Sequence, residues 1–426
     1  MARFEGKASQ AVLAFCMGGL IGQAANAAEF PAVDLELYSD LRLTTVAGEP
    51  TWFKDWLGKL RYGGDWQGGR QTKLRLSELS LIAKSDITWD LHAFVHAKFD
   101  PEQDKPADLV EAYLRYRPVP TSRWQYQLKA GLFFPHISRE HTSVAWTSPY
   151  TITPSAINSW IGEEIRTLGL EAKATLKLDQ QKLSFTGGAF GFNDPAGTLL
   201  AFRGWALGDY KVGAFSRLPL PPISSIGPDS DFLRFQPLWV NPVREVDNKV
   251  GYYGAVDWSH KVGFKAGAFF YDNRGDPEVI KHSQYGWDTK FWNFYTEVEA
   301  PMGIDLMAQY LTGNTKMGFF KYGGDFRAVD VDYASGFVMA SRKFGKHRLS
   351  VRRDWFDTDD NSFVVEDNNN EVGTAWTVAF NAHLGNKDSI IAEMLHVNST
   401  RPFRETVWYD AQQSQTLWQL SYRRRF

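Results

Sequence analysis

The chain has almost no cysteine and, beyond its N-terminus, no long apolar run. Its 426 residues include one cysteine, Cys16, so the rest of the chain has neither disulfides nor a cysteine-based metal site. After residue 30 no apolar stretch approaches the roughly 20 residues that a membrane-spanning helix needs. The formal net charge is -2, so the chain lacks the basic excess typical of nucleic-acid binding.

Sequence motifs for catalysis are also missing. The chain contains no G-x-S-x-G, no G-x-x-x-x-G-K-[ST] and no H-E-x-x-H, so we predict no enzyme, no cofactor and no metal. His141-Thr142-Ser143 resembles part of a serine hydrolase, but it lies in a loop without a recognisable acid. Asp354–Asn370 is rich in acidic and amide oxygens that suit calcium. It lacks the spaced order of a calcium loop, so a solvated loop is favoured.

The first 27 residues have the pattern of a secretory signal peptide. Arg3 and Lys7 precede the apolar run Ala11–Gly22, and Ala25-Asn26-Ala27 is a small-residue cleavage site. We therefore expect a mature chain of residues 28–426 that leaves the cytoplasm.

The rest of the chain alternates between apolar and polar residues. In Ile87–Phe99 every odd position is apolar, and five of the six even positions are polar. This period of 2 predicts a strand with one apolar and one wet face. The strand is longer than the usual globular strand of about 5–6 residues. The pattern recurs in Val110–Tyr116, Trp124–Leu132, Leu168–Leu176, Trp292–Val298 and Val372–Phe380.

Short and long connections alternate as well. Very short ones include residues 84–86, 118–122 and 208–209, whereas 47–71, 135–165 and 217–248 are long and polar. Short periplasmic turns and long extracellular loops are typical of an outer-membrane β-barrel. We predict an all-β, antiparallel transmembrane barrel of 18 strands that forms a single domain over residues 28–426. The alternative is 16 strands, since the first strand and the pair around Leu199–Leu218 are weak.

Aromatic residues beside the short turns predict an interfacial girdle: Trp89, Trp124, Trp205, Tyr210 and Trp258. The inward faces of the strands carry many charges, each costing several kcal/mol if buried without water. A barrel of 16–18 strands is wide enough to hold water. We therefore predict an aqueous lumen.

Part of the chain resembles a known family. The successive segments KLRLSELSLIAKSDITWDLHAFVHAKFD, LVEAYLRYRP, LKAGLFFPHISRE and RTLGLEAKA are similar to the opening half of the phosphate-selective porin O/P family, over about residues 72–176. The resemblance implies a passive outer-membrane pore whose third loop folds inward, often as a homotrimer. Residues 135–165 contain no lysine, so the family's loop lysine, on which phosphate specificity rests, has no counterpart here.

We expect residues 135–165, the third long loop, to fold into the lumen. Large apolar side chains such as Trp146, Ile157 and Trp160 would be unfavourably exposed on an outward loop. Thr153-Pro154 has the pattern of an N-cap followed by proline and predicts a short helix over Pro154–Glu164. The alternative is an outer loop that caps the barrel or lines a subunit contact.

The predicted constriction sets loop charges against wall charges. The loop charges are Arg139, Glu140, Glu163 and Glu164. The wall charges are Glu111, Arg115, Arg117, Lys129, Arg348 and Arg352. Acids on one side and bases on the other would create a transverse field that filters solutes by charge.

The sequence therefore predicts a porin that passes small hydrophilic solutes or ions down their gradient. Its expected partners are outer-membrane lipid, lipopolysaccharide and small solutes, with no nucleic acid and a possible homotrimer. Two alternatives stay open: a plugged or polymer-export barrel, in which Pro50–Leu57 could form an occluding helix, and an outer-membrane barrel hydrolase.

Overall fold

The computed structural model describes residues 30–426 apart from 231, 322–325 and 364–367. The predicted signal peptide, residues 1–27, lies outside the described residues. No helix in the described part of the chain is long and apolar enough to cross a membrane.

Sixteen antiparallel strands close into one barrel, with the first strand paired to the last. The first seven are β1 (Ala32–Val46), β2 (Gln71–Asp86), β3 (Leu91–Phe99), β4 (Ala107–Tyr116), β5 (Trp124–Phe133), β6 (Thr167–Lys177) and β7 (Gln181–Gly191). Two short pairs lie outside the barrel sheet: β8 (Leu218–Pro219) with β9 (Trp239–Val240), and β12 (Ile280–Lys281) with β13 (Gln284–Tyr285). The other barrel strands are β10 (Gly251–His260), β11 (Phe264–Asp272), β14 (Asp288–Ala300), β15 (Ile304–Lys321), β16 (Phe326–Phe344), β17 (His347–Asp360), β18 (Glu371–His383), β19 (Asp388–Thr400) and β20 (Gln412–Arg425).

Among the described residues, helical structure is confined to the connections. Two α-helices, α1 (Ala156–Glu164) and α2 (Thr198–Phe202), both lie in long loops. Short 3-10 turns occur at Trp52–Lys54, Val144–Trp146, Pro301–Gly303 and Pro402–Val407.

The predicted transmembrane barrel is confirmed, and its strand number is 16 rather than 18. The first strand forms, but the pair around Leu199–Leu218 does not. That segment holds α2 and an irregular stretch whose side chains are buried inside the barrel, including Leu207 and Val212. The expected girdle positions Trp205 and Tyr210 were therefore wrong, because both are buried in the lumen. This segment is apolar enough to suit a strand, but its apolar residues pack in the interior, on other loops and on the inner wall, rather than facing lipid.

The strand alternation decides which side chains meet lipid. On β3, His96 is fully buried in the lumen, while Trp89 in the preceding turn is 80% exposed on the outside. A register shift in β4 between His96 and Ala97 of its partner strand places both Val110 and Glu111 inside. The alternation in the sequence had assigned Val110 to the outer face, and a β-bulge of this kind reverses the facing of one residue.

The register of β3 predicts an asymmetric response to lysine. Leu91→Lys or Val95→Lys places a charge on the lipid face, at a cost of about 2–4 kcal/mol near the bilayer midplane. We expect both variants to assemble poorly in membranes, as judged by the fraction that resists unfolding in unheated electrophoresis. His92→Lys, which points into the lumen, should assemble normally. Equal assembly of all three variants would show that the register is wrong.

Candidate functional site

Residues 134–166, called here the third loop, cross the lumen to the opposite wall. The loop leaves β5, yet its Glu140 forms an ion pair of 2.9 Å with Arg352 on β17. The backbone N–H groups of Ile152 and Thr153 donate to Glu393 on β19, at 2.5 and 3.1 Å. Since these contacts lie opposite β5 in the barrel order, the loop spans the interior.

Arg352 is the main polar anchor of the third loop. Its guanidinium is fully buried and pairs with Glu140 and, at 2.8 Å, with Asp354. The guanidinium also donates to the hydroxyl oxygens of Thr151 and Thr377 and to the carbonyl oxygens of Thr153 and Pro154. A buried guanidinium with this many acceptors holds one geometry of the loop, because each bond leaves an unpaired polar group when broken.

The helix α1 begins two residues later than the sequence suggested. Its N-cap is Ser155, whose side chain accepts from Asn158 N, rather than Thr153. Ser155 is held in that position because its own N–H and hydroxyl both donate to Glu140. Every residue of α1 is buried.

A second segment, residues 192–250, also enters the lumen and is called here the fourth loop. Its Arg203 pairs with Glu163 of α1 at 2.8 Å. Leu199 N donates to Glu164 at 3.0 Å, and the Trp160 indole donates to the same carboxylate at 2.6 Å. Burial raises the pKa of Glu164 to about 7, although these donors favour the charged form. Glu163 and Glu164 therefore bind the two inward loops to each other.

The fourth loop is fixed to the β1 side of the wall through Asp209. This carboxylate accepts from Arg42 on β1 at 2.7 Å. It also accepts at 3.0 Å from Arg61 in residues 47–70, called here the first loop. Burial alone would raise the pKa of Asp209, but the two guanidinium groups hold it well below its usual value. Sequence reasoning missed this role, since it assigned Gly208-Asp209 to a short turn.

Another contact of the fourth loop requires a glycine. Gly204 has a φ of +78°, and a Cβ there would lie 1.8 Å from Oε2 of Glu371 on β18. Glu371 in turn pairs with Lys59 of the first loop at 2.5 Å. Three connections, the first, third and fourth loops, thus meet in the interior. The predicted helix over Pro50–Leu57 is reduced to the 3-10 turn Trp52–Lys54, but Trp52 and Leu57 do pack in this interior core.

The inward loops and the wall form a continuous buried layer. In the described part of the chain, each of the sixteen barrel strands contributes at least one inward side chain that is buried. Many are large and apolar, such as Phe190, Phe291 and Tyr333, and pack around Trp160 and Trp205. This layer lies between the long-loop end of the lumen and the short-turn end.

Two polar recesses open below this layer, at the short-turn end. One, of about 340 Å³, is lined by β4–β7 and His136 and includes Arg117, Lys129 and Lys173. The other, of about 330 Å³, lies against β18–β20 and the third loop and includes His383 and Arg425. Basic side chains therefore border both recesses.

The predicted constriction residues are distributed differently from the expectation. Among the wall bases, Arg352 meets a loop acid, whereas Lys129 pairs with Glu171 at 3.1 Å and Arg348 with Asp305 at 3.0 Å. The loop base Arg139 pairs with Glu297 of β14 at 2.8 Å.

The other predicted residues divide into buried acids and accessible bases. Glu111 is buried and accepts from Phe134 N, while Glu163 and Glu164 lie in the loop core. Arg117 lines the first of the two recesses, and Arg115 lies opposite His92 of β3. Neither arginine forms an ion pair with any described residue. The loop acids are thus buried rather than facing these arginines across water.

Neither weaker chemical candidate forms a site among the described residues. His141 bonds to Ser138 Oγ at 2.7 Å and stacks on Trp146, so its imidazole is occupied by loop contacts. Asp354 lies in the lumen, Asp357 is in β17, and residues 364–367 of the proposed calcium loop lie outside the described residues.

One group of three carboxylates in the described chain is close enough to hold a cation: Asp194, Glu245 and Asp247. Asp194 accepts from the backbone N–H of Asp247 at 3.1 Å, and Glu245 accepts from Phe192 N at 3.1 Å. Burial raises the pKa of Asp194 to about 7. These donors explain the cluster as part of the loop structure.

Comparisons with known proteins support the fold. No family model and no curated protein sequence matches the chain. Among solved structures, it is similar to the outer membrane channel DcaP of Acinetobacter baumannii, with 11% identity, 95% of this chain and 99% of that chain covered, and a TM-score of 0.53. It is also similar to OprB of Pseudomonas putida, with 12% identity, coverage of 92% and 94%, and a TM-score of 0.51. An anion-selective porin from Comamonas acidovorans has 10% identity, coverage of 93% and 100%, and a TM-score of 0.50.

Two arginines on one strand allow a matched test of the anchor. Arg352→Met leaves Glu140 and Asp354 buried without their cation, and we expect it to lower the free energy of unfolding by about 3–5 kcal/mol. Arg348→Met, four residues away, removes a pair whose carboxylate, Asp305, is 38% exposed, so we expect a clearly smaller loss. Urea unfolding in detergent, followed by tryptophan fluorescence, measures both changes. Equal losses would show that Arg352 is not a special anchor.

Proposed function

We propose that this protein is an outer-membrane porin for passive diffusion of small hydrophilic solutes or ions. The observation that carries the proposal is a sixteen-stranded barrel whose lower lumen has charged, polar recesses leading up to inward loops. Barrels of this width leave room for an aqueous channel, and inward loops determine its cross-section. The similarity to solved channels and porins supports the same interpretation.

The buried layer favours a channel that conducts through a restricted opening. Fully buried loop residues such as Trp160 and Leu200 fill the lumen at the level of the third and fourth loops. These loops therefore bound any passage that solutes take at this level. The same layer favours a second candidate, a barrel that stays plugged, and conductance distinguishes the two.

Anions are the favoured solutes. Arg115 and Arg117 have no carboxylate partner in the described chain. Arg117, Lys129 and Lys173 line one recess, in which Glu171 is the acid. The distance from Lys173 Nζ to Asp257 Oδ2 is 3.9 Å, which is long for an ion pair. A wall with an excess of basic groups raises the local concentration of anions.

None of the charged groups in the recesses is proposed to perform chemistry. We propose a non-enzymatic protein, with outer-membrane lipid as its surroundings and a homotrimer as its expected assembly. A hydrolase would need a nucleophile beside a base and an oriented acid, and His141 is instead bonded to Ser138 and stacked on an indole.

Single-channel recording in planar bilayers tests the proposal. The purified protein should give ohmic conductance, whereas a permanently plugged barrel should be silent. Deleting Thr142–Asn158 removes most of the third loop and should enlarge the single-channel conductance several-fold, because the loop fills the lumen. Unchanged conductance after this deletion would place the third loop outside the conducting path.

A matched loop variant controls for general effects on the barrel. Shortening the hairpin tip at Lys281, His282 and Ser283 changes only the exposed end of another long loop. This variant should conduct as the unmodified protein does. If both deletions raise conductance equally, the increase is caused by general loosening of the barrel rather than by removal of the third loop.

Charge selectivity is tested at the two accessible arginines. Replacing Arg115 and Arg117 together by glutamine should lower the permeability of chloride relative to potassium, because the lower lumen loses its unpaired bases. The reversal potential in a potassium chloride gradient measures the change. Arg342→Gln removes the same charge from the outer face and should leave the reversal potential as it was. A double variant with unchanged selectivity would mean that ions do not pass these residues.

A further inference from the structure

The recess against β18–β20 and the third loop contains two buried polar groups that lack a partner. Its volume is about 330 Å³, near the lower end of the range of roughly 300–1,000 Å³ for ligand sites. Tyr38 of β1 and Asn381 of β18 line it, and each is 4% exposed. Among the described residues, neither the Tyr38 hydroxyl nor Oδ1 of Asn381 has a hydrogen-bond partner. Because buried polar groups are normally hydrogen-bonded, both atoms can serve a polar molecule that enters the recess.

Two basic side chains border the mouth of this recess. Arg425 at the end of β20 and Lys387 in the short turn before β19 both line it, and both are exposed. Neither forms an ion pair with any described residue, although Arg425 donates to the carbonyl oxygen of Asn386. Arg423, deeper on the same strand, is instead buried and pairs with Asp40 at 3.1 Å. The uncompensated positive charge therefore lies at the mouth.

Strand pairing and the third loop hold these groups around one space. Tyr38 lies directly opposite Arg425 in the pairing of β1 with β20. Directly opposite residues have Cβ atoms about 4.5–5.5 Å apart, so the phenol and the guanidinium leave the wall side by side. From the other side, the carbonyl oxygen of Ser148 in the third loop accepts from Arg423 at 3.5 Å. The recess thus has neutral hydrogen-bonding groups in its buried part and bases at its mouth.

We propose that this recess binds a small hydroxylated carboxylate, such as a sugar acid, on its way through the pore. The inference rests on the proposed function, because it gives the chemical class of one solute. The carboxylate suits Arg425 and Lys387, since a guanidinium and an ammonium both donate charge-assisted hydrogen bonds to it. The hydroxyl groups suit the buried part, where one can donate to Oδ1 of Asn381 and another can pair with the Tyr38 hydroxyl.

Other classes of solute match only part of the recess. A simple anion would pair with the bases and leave both buried groups without a partner. A neutral sugar alcohol would satisfy the buried groups and leave the bases unused. A cation would find one acid in the lining, Asp388, which already pairs with Arg424 at 3.4 Å and accepts from the Tyr422 hydroxyl at 2.6 Å. A molecule with both a carboxylate and hydroxyls uses every group.

Saturation-transfer NMR on the full chain in detergent tests this proposal without any conductance measurement. Three probes are titrated. Gluconate has a carboxylate and hydroxyls, propionate has only the carboxylate, and sorbitol has only the hydroxyls. We expect gluconate to bind at least about tenfold more tightly than either of the other two, because it alone forms both kinds of hydrogen bond.

Two variants separate the two parts of the recess. Tyr38→Phe removes a hydroxyl that bonds to no described residue, so the fold should be kept. Its affinity for gluconate should fall about three- to tenfold, as loss of one neutral hydrogen bond predicts, while its affinity for propionate is unchanged. Arg425→Gln should weaken the binding of both gluconate and propionate about tenfold, because both probes lose a charge-assisted contact.

A matched control and a folding check complete the experiment. Lys182→Gln removes an exposed base at the short-turn end of β7, on the opposite side of the barrel, and should bind gluconate as the unmodified protein does. Unheated electrophoresis checks that each variant is folded. Equal affinities for gluconate and propionate, or unchanged gluconate binding in Tyr38→Phe or Arg425→Gln, would overturn the proposal. A protein that conducts but binds no gluconate would overturn this inference alone, whereas a silent protein that binds gluconate as expected would contradict the porin function alone.

Discussion

The interior width of a sixteen-stranded barrel is the constraint on which the rest of this structure depends. Closure satisfies the backbone hydrogen bonds of every strand, but it leaves a lumen too wide for wall side chains to fill. This chain fills the middle of that space with three of its own connections. The inner wall therefore carries apolar residues, such as Phe291 and Leu311, that pack on the loops. The outer face is apolar because it meets lipid, so apolar residues lie on both sides of the wall at this level.

Filling a lumen with loops brings their polar groups into a dry interior. The structure resolves this by pairing charges across elements that are far apart in sequence. Arg352 and Glu140 are separated by 212 positions, and Arg203 and Glu163 by 40. Such pairs contribute little net stability relative to apolar packing. Any other position of the loop would leave a buried charge uncompensated, so each pair disfavours those positions. They therefore specify where the loops lie more than how stable the barrel is.

Most of the barrel was predictable from the sequence because strand alternation is a local property. The same reasoning failed where the side of the wall that a residue faces depends on the neighbouring strand. Val110 turns inward because β4 slips by one residue against β3, and no local pattern distinguishes it from Ala112. The segment around Trp205 was predicted as strand, since apolar residues buried by other loops and apolar residues facing lipid are the same residue types.

For the candidate site, charge type was predictable and pairing was not. The sequence placed Arg352 and Glu140 on opposite sides of the interior, and they do meet. It also assigned Glu163 and Glu164 to the water-lined constriction, but they face the fourth loop. Nothing in a single sequence ties Glu163 to Arg203, because that contact exists only once the fourth loop has entered the lumen. The weak alternation of Leu199–Leu218 was the available signal that this segment was not a normal pair of strands.

The two inward loops are held to different parts of the barrel wall, and this bears on how a channel could open. The third loop is fixed to the wall by Arg352 and Glu393, which belong to β17 and β19. The fourth loop contacts other strands, through Arg42 of β1, Glu78 of β2, Asp108 of β4 and Glu371 of β18. It also pairs with Glu163 of α1 in the third loop. Moving either loop therefore breaks buried polar contacts with strands, and each broken ion pair leaves a buried charge uncompensated. Because Glu163 joins the two loops, displacing one of them also disturbs the wall contacts of the other.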